Sequence, residues 1–188
     1  MTRIRLHIPS QLDDRQLELY RGITGGSRAQ GPQHFALVND DGSLAGPFNA
    51  LLLAPALGDA LQQLGAAVRY RTALSDRERE IAILMVAAHW NSAFERSAHE
   101  SVGRAAGLTD AELASVRAGA ALELADPHER ACAEAVGAMI SGDIDDALWA
   151  ELRATLDEST LFELSTLVGY YATLALQLRI FRVDEHDG

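Results

Sequence analysis

The chain has 188 residues, 48% of them hydrophobic, a formal net charge of −11 and one cysteine, Cys132. That length suits one domain able to bury a core. The acidic balance argues against a phosphate-backbone partner, and a lone cysteine excludes an intrachain disulfide and fits a reducing compartment. No apolar run is long enough to cross a bilayer, and MTRIRLHIPSQL lacks the apolar core and cleavage site of an export signal, so a cytoplasmic protein that binds neither nucleic acid nor membrane is expected.

The first nine residues alternate weakly (Ile4, Leu6, Ile8) before Pro9. Ser10 and Asp13 can cap a helix over about 11–22 that Gly25-Gly26 stops. From 25 to 47 the chain is rich in Gly, Pro, Asn and Asp, which predicts a long irregular loop. Phe35 to Val38 reads as a short strand entering the turn Asn39-Asp40-Asp41-Gly42. Arg28 and His34 in this loop are solvated by default but could cover a pocket. GGSRAQG lacks the flanking strand and terminal Lys-Ser/Thr of a phosphate cradle.

Pro47 onward reads as helical. Phe48 and Leu51 to Leu53 form a short apolar segment, and Pro55 fits the first turn of a helix over 56–70 with a stripe of Leu57, Leu61, Leu64 and Val68. Capping boxes appear at Ser75-x-x-Glu78, Ser92-x-x-Glu95 and Thr109-x-x-Glu112, and Asp126-Pro127-x-Glu129 is a variant with Pro at the first helical position. They predict helices near 76–90, 93–106, 110–118 and 127–140. Asp143 opens another over 144–156, and Ser159 opens a last one over 160–181 that is apolar nearly all round. The fold class is all-α, a compact multi-helix bundle, read as one domain with residues 1–50 as an N-terminal helix-and-loop extension and 56–181 as the helical core.

Polar residues interrupt the apolar stretch 80–107. Glu95 and His99 are four apart, on one face of a helix. On a continuous helix Glu80 and His99 would stand about 28 Å apart, so a shared site requires a chain reversal at Trp90-Asn91-Ser92. Each residue also has a plainer reading. Glu95 could simply close its capping box, His99 could be a satisfied core histidine, Glu80 a surface acid and Trp90 packing. His89 could be a helix-end cation favourable to the dipole. His7, His128 and His186 are scattered, without metal-ligand spacing, and no metal site is expected.

Glu80, then Ser92, Glu95 and His99 in the setting E-x9-W-x4-E-x3-H, followed by Ala105-Ala106-Gly107-Leu108 and a capped Thr-Asp-Ala-Glu helix, resemble the carboxymuconolactone decarboxylase-like family. The resemblance is strongest over about 75–120, and the pattern GPFNALLLAP also looks like one branch of the family. It implies the all-helical fold of the alkylhydroperoxidase D-like type and a homo-oligomer, a trimer or hexamer. In the peroxidase branch a Cys-x-x-Cys pair opens the second helix. Here those positions are Ser92 and Glu95, so disulfide-based peroxide reduction lacks both its attacking and its resolving thiol.

The resemblance therefore implies the decarboxylase branch, without a cofactor: a lyase acting on a small carboxylated lactone or keto acid. His99 is assigned as general acid/base, Glu80 as relay or second base and Glu95 as the group that orients His99, with Trp90, Ser92 and His89 lining a substrate pocket. A peroxidase of the alkylhydroperoxidase kind and a noncatalytic helical oligomer are the competing readings.

Overall fold

The computed structural model describes residues 2–26, 29–30 and 36–183. Arg28, His34, Phe35 and His186 lie outside them. Among the described residues the chain forms nine α-helices and no strand: α1 (Asp14–Gly25), α2 (Phe48–Leu51), α3 (Pro55–Tyr70), α4 (Asp76–His89), α5 (Ala93–Ala105), α6 (Asp110–Ala118), α7 (Pro127–Ser141), α8 (Asp146–Leu152) and α9 (Glu158–Phe181). The fold is all-α, as the periodicity predicts. It divides into two compact units, Met1–Arg71 with Leu176–Gly188, and Thr72–Ala175.

In the first unit, α3 packs against α1 and α2. Leu19, Ile23, Leu37, Leu44, Phe48, Leu51 and Leu52 make its core. Gly58 lets α3 approach α2 closely, since a Cβ there would stand 2.3 Å from the Leu51 carbonyl oxygen. The extended N-terminal segment is held by the buried Asn49, whose Nδ2 donates to the Arg5 carbonyl (2.9 Å) while its Oδ1 accepts from His7 N–H (3.2 Å). The expected strand shrinks to one antiparallel bridge, Val38 with Leu44, across the expected Asn39–Gly42 turn. The cap of α1 also moves. Ser10 falls in a 3-10 turn, and Asp13 forms a capping box with Gln16.

In the second unit, α4 packs against α5, α6 and α7. Ile81, Ala82, Ile83, Leu84, Val86 and Ala87 are buried, so α4 is apolar on nearly every side and runs through the middle of its neighbours. Ile81 and Leu84 join Leu108, Leu113, Val116 and Leu124 in one cluster. The capping boxes at Ser75 and Thr109 form, and Asp126 caps α7 by accepting from His128 N–H and Glu129 N–H. Two starts shift. Asp145, not Asp143, caps α8, and Asp157 accepts from Thr160 N–H so that α9 opens at Glu158.

The reversal between α4 and α5 is a short device of three residues. Asn91 adopts the left-handed conformation (φ 48°), its N–H donates to the Ala88 carbonyl (3.1 Å), and Ser92 N–H donates to the Ala87 carbonyl (2.8 Å). That pair of bonds is the Schellman motif, with Asn91 where glycine is commonest. It satisfies the last carbonyls of α4 and starts α5 at the next residue, so residues 78–104 are two helices rather than one.

Candidate active site

Three acidic or basic side chains are buried where these helices meet: Glu80 at 0% exposure, Glu95 at 2% and His99 at 5%. The reversal brings Glu80 and His99 together. His99 Nδ1 lies 2.7 Å from Glu80 Oε2, a bond between residues 19 apart in sequence. With Nδ1–H donated to that carboxylate, the lone pair of the ring sits on Nε2. The Tyr171 ring of α9 meets the imidazole edge to face, with centroids 5.2 Å apart at 89°, and Tyr170 packs likewise on Tyr171 (5.1 Å). On the other side of Glu80, Arg79 Nε stands 3.9 Å from Oε1. Carboxylate, cation and aromatic wall together fix the ring plane of His99.

The carboxylate bonded to His99 is thus Glu80 and not Glu95. Glu95 is one turn before His99 on α5, yet neither of its carboxyl oxygens has a hydrogen-bond partner among the described residues. Nor does it close the capping box read from the sequence: Ser92 holds the N-cap position without a side-chain bond, and its buried hydroxyl is equally unpartnered. The physical reason lies in the hinge. Ser92 N–H already donates to the Ala87 carbonyl, which takes the backbone donor that a capping box would give to Glu95. Burial pushes the Glu95 carboxyl up to about 8; Ser92 stands near enough to offset part of this, although the two close no hydrogen bond. Near neutral pH Glu95 is therefore held largely as the neutral acid, one helical turn before a histidine bonded to another carboxylate. Two titratable groups held in such different surroundings are what acid/base chemistry at one site requires.

The expected pocket-lining residues are placed unevenly. Ser92 is buried, Trp90 is half-buried at the end of α4, and His89 is exposed, with its ring edge-on to Trp90 at 6.1 Å between centroids. Tyr171 and Arg79 were not singled out in the sequence. Tyr171 sits in an unbroken apolar helix and Arg79 in a charged first turn, and only the contacts in space distinguish them.

Cys132 lies on α7, and the group nearest it there is not Glu80–His99 but Glu78 and His128. Cys132 Sγ is 3.7 Å from His128 Nδ1, which is 2.5 Å from Glu78 Oε1. The histidine that looked scattered is therefore one corner of a cluster, and the spacing His128-x3-Cys132 on one helix face was its sequence signal. Burial first, then the carboxylates of Glu78, Glu129 and Asp126, push the thiol up to about 12. Such a thiol is no peroxide-reducing nucleophile.

The described residues thus form an all-helical fold with an acid–histidine pair joined across a helix reversal, and serine and glutamate stand at the two positions where the peroxidase branch would carry thiols. Residues 55–138 match the Carboxymuconolactone decarboxylase family, a segment that includes Glu80, Ser92, Glu95 and His99. No curated protein matches the chain.

Proposed function

We propose that the chain is a cofactor-independent lyase that decarboxylates a small carboxylated lactone or keto acid. The observation that carries the reading is the buried Glu80–His99 hydrogen bond with the protonated, unpartnered Glu95 one helical turn away. Loss of carbon dioxide from an acid activated by a carbonyl or lactone leaves a carbanion or enolate, which must be stabilised and then protonated. Glu80 holds the His99 tautomer, and His99 exchanges a proton with the substrate through Nε2. Glu95, neutral at pH 7, serves as the proton donor to the developing anion rather than as the orienter, and Ser92 offers a hydroxyl donor beside it. The apolar walls of α4 and α5 strip water from the departing carboxylate. Trp90 and His89 at the hinge are the expected contacts for the rest of the substrate.

Carbon dioxide release from a panel of carboxylated lactones and β-keto acids tests this. His99→Ala should lower kcat by about 10²- to 10⁴-fold with the far-ultraviolet circular dichroism unchanged, and Glu80→Gln should lower it with little change in KM. Glu95→Gln should remove a limb of falling kcat/KM above about pH 8. Full turnover by folded His99→Ala would sink the proposal, and so would release of no carbon dioxide from any member of the panel.

A further inference from the structure

We infer that Glu78, His128 and Cys132 form a binding site for one zinc-class divalent ion, separate from the Glu80–His99–Glu95 group. Three donors of different kinds converge from two helices: a carboxylate from the first turn of α4, and an imidazole and a thiol four residues apart on α7. Their ligand atoms all lie within 4.8 Å of one another. His128 Nδ1 faces both the Glu78 oxygen and the Cys132 sulfur. One nitrogen cannot satisfy two such partners with one proton or one lone pair, whereas a cation between them satisfies all three.

The distances can be compared with those of a tetrahedral ion. Zinc–sulfur and zinc–nitrogen bonds of about 2.3 and 2.0–2.1 Å put the two ligand atoms about 3.6 Å apart. Cys132 and His128 stand 3.7 Å apart already. The nitrogen–oxygen edge of such a site is about 3.4 Å, so Glu78 Oε1, now 2.5 Å from the ring, has to swing outward by roughly 0.9 Å. Its other oxygen stays anchored, since Oε2 accepts from Ser75 N–H at 2.8 Å. A ligating carboxylate held by a hydrogen bond of its own is the usual supporting arrangement.

The helices that carry the donors are also locked in register next to them. Arg77, one residue before Glu78, forms two bonds to Glu129, one residue after His128, at 2.7 and 3.1 Å. The thiol is buried while the His128 side chain is 42% exposed, so an ion has a path in and a fourth coordination position open to water. Thiolate with imidazole selects zinc, cobalt or nickel over magnesium or calcium. On binding, the ion takes the sulfur lone pair and the thiol proton passes to solvent.

The test uses the full chain after chelator treatment and gel filtration, titrated with Co²⁺ and then with Zn²⁺. One equivalent of cobalt should bind, with a thiolate-to-cobalt charge-transfer band in the near ultraviolet, and zinc should displace it. Cys132→Ser should abolish the band and weaken binding at least tenfold, and His128→Gln should weaken it to the same degree. Glu95→Gln should bind like the parent. Thermal melts of each variant without metal check that it folds, and Cys132→Ala replaces the serine variant if that one does not. Absence of stoichiometric binding overturns the inference. So does cobalt bound without the sulfur band, or bound equally by folded Cys132→Ser and His128→Gln, because such an ion sits on surface carboxylates.

Discussion

A carboxyl buried as Glu95 is couples stability to pH in a direction opposite to that of most acids. Folded, it keeps its proton to about pH 8; unfolded, it loses it near 4.5. Between those values the folded state binds more protons, so the contribution is fully present below about pH 4.5 and is lost as pH rises through about 8, at up to about 1.4 kcal/mol per pH unit. The carboxylates held below their ordinary values, Glu78 and Glu112 among them, act in the other sense, and only at acid pH. Glu95→Gln should match the parent in urea unfolding at pH 5 and exceed it at pH 9, with the decline between them flattened. Equal slopes in both proteins would mean that Glu95 is ionised without cost. At this scale the sequence brought Glu80, Glu95 and His99 to attention, but not which carboxylate His99 bonds. The i,i+4 spacing of Glu95 and His99 suggested a pair, but sharing a helix face does not fix where a carboxyl points. The partner of His99 came from the other helix.

At the scale of elements, helix starts were the most legible feature, because a capping box is a local exchange of two hydrogen bonds that the spacing alone encodes. Ser75/Glu78 and Thr109/Glu112 form as read. Ser92/Glu95 has the same letters and fails, since the preceding Schellman turn already fixes Ser92 through its backbone. The hinge itself was inferred from the Ser92-x-x-Glu95 capping signature and from the need to bring Glu80 and His99 together. Its physical cause is Asn91, whose left-handed conformation a β-branched residue resists by roughly 1–2 kcal/mol. Asn91→Val should therefore lower stability by about that amount, and Asn91→Gly should leave it unchanged or slightly raised, both read from urea midpoints. On the proposed lyase reading, the valine variant should also lose more carbon dioxide release than its stability loss explains, since the Glu80–His99 bond spans the hinge. Valine tolerated at no cost would show that the reversal does not depend on the residue at 91.

For the molecule as a whole, composition and periodicity were enough for an all-helical fold, but the contacts that join its helices were not legible, because nothing local marks a bond between residues 35 or 52 apart. Arg77 is the clearest case. From the first turn of α4 it reaches Glu112 of α6 (2.8 Å), Glu129 of α7 (2.7 Å) and the Gly107 carbonyl in the turn after α5 (2.5 Å). In the sequence it is one more charge in the run Asp76-Arg77-Glu78-Arg79-Glu80. Planar, with five donors in a fixed fork, it makes four bonds here, one more than the three donors of a lysine ammonium allow. Removing it leaves two mostly buried carboxylates facing each other. Because the arginine itself is 27% exposed, solvent screens part of that repulsion. Arg77→Ala should cost on the order of 2 kcal/mol in urea unfolding near neutral pH, and Arg77→Lys should recover less than half of it. Most of the loss should vanish in Arg77→Ala carrying Glu112→Gln and Glu129→Gln together, because no buried charge is then left unpaired. A triple variant as unstable as Arg77→Ala would place the stabilisation in the packing of the arginine stem and not in its charge.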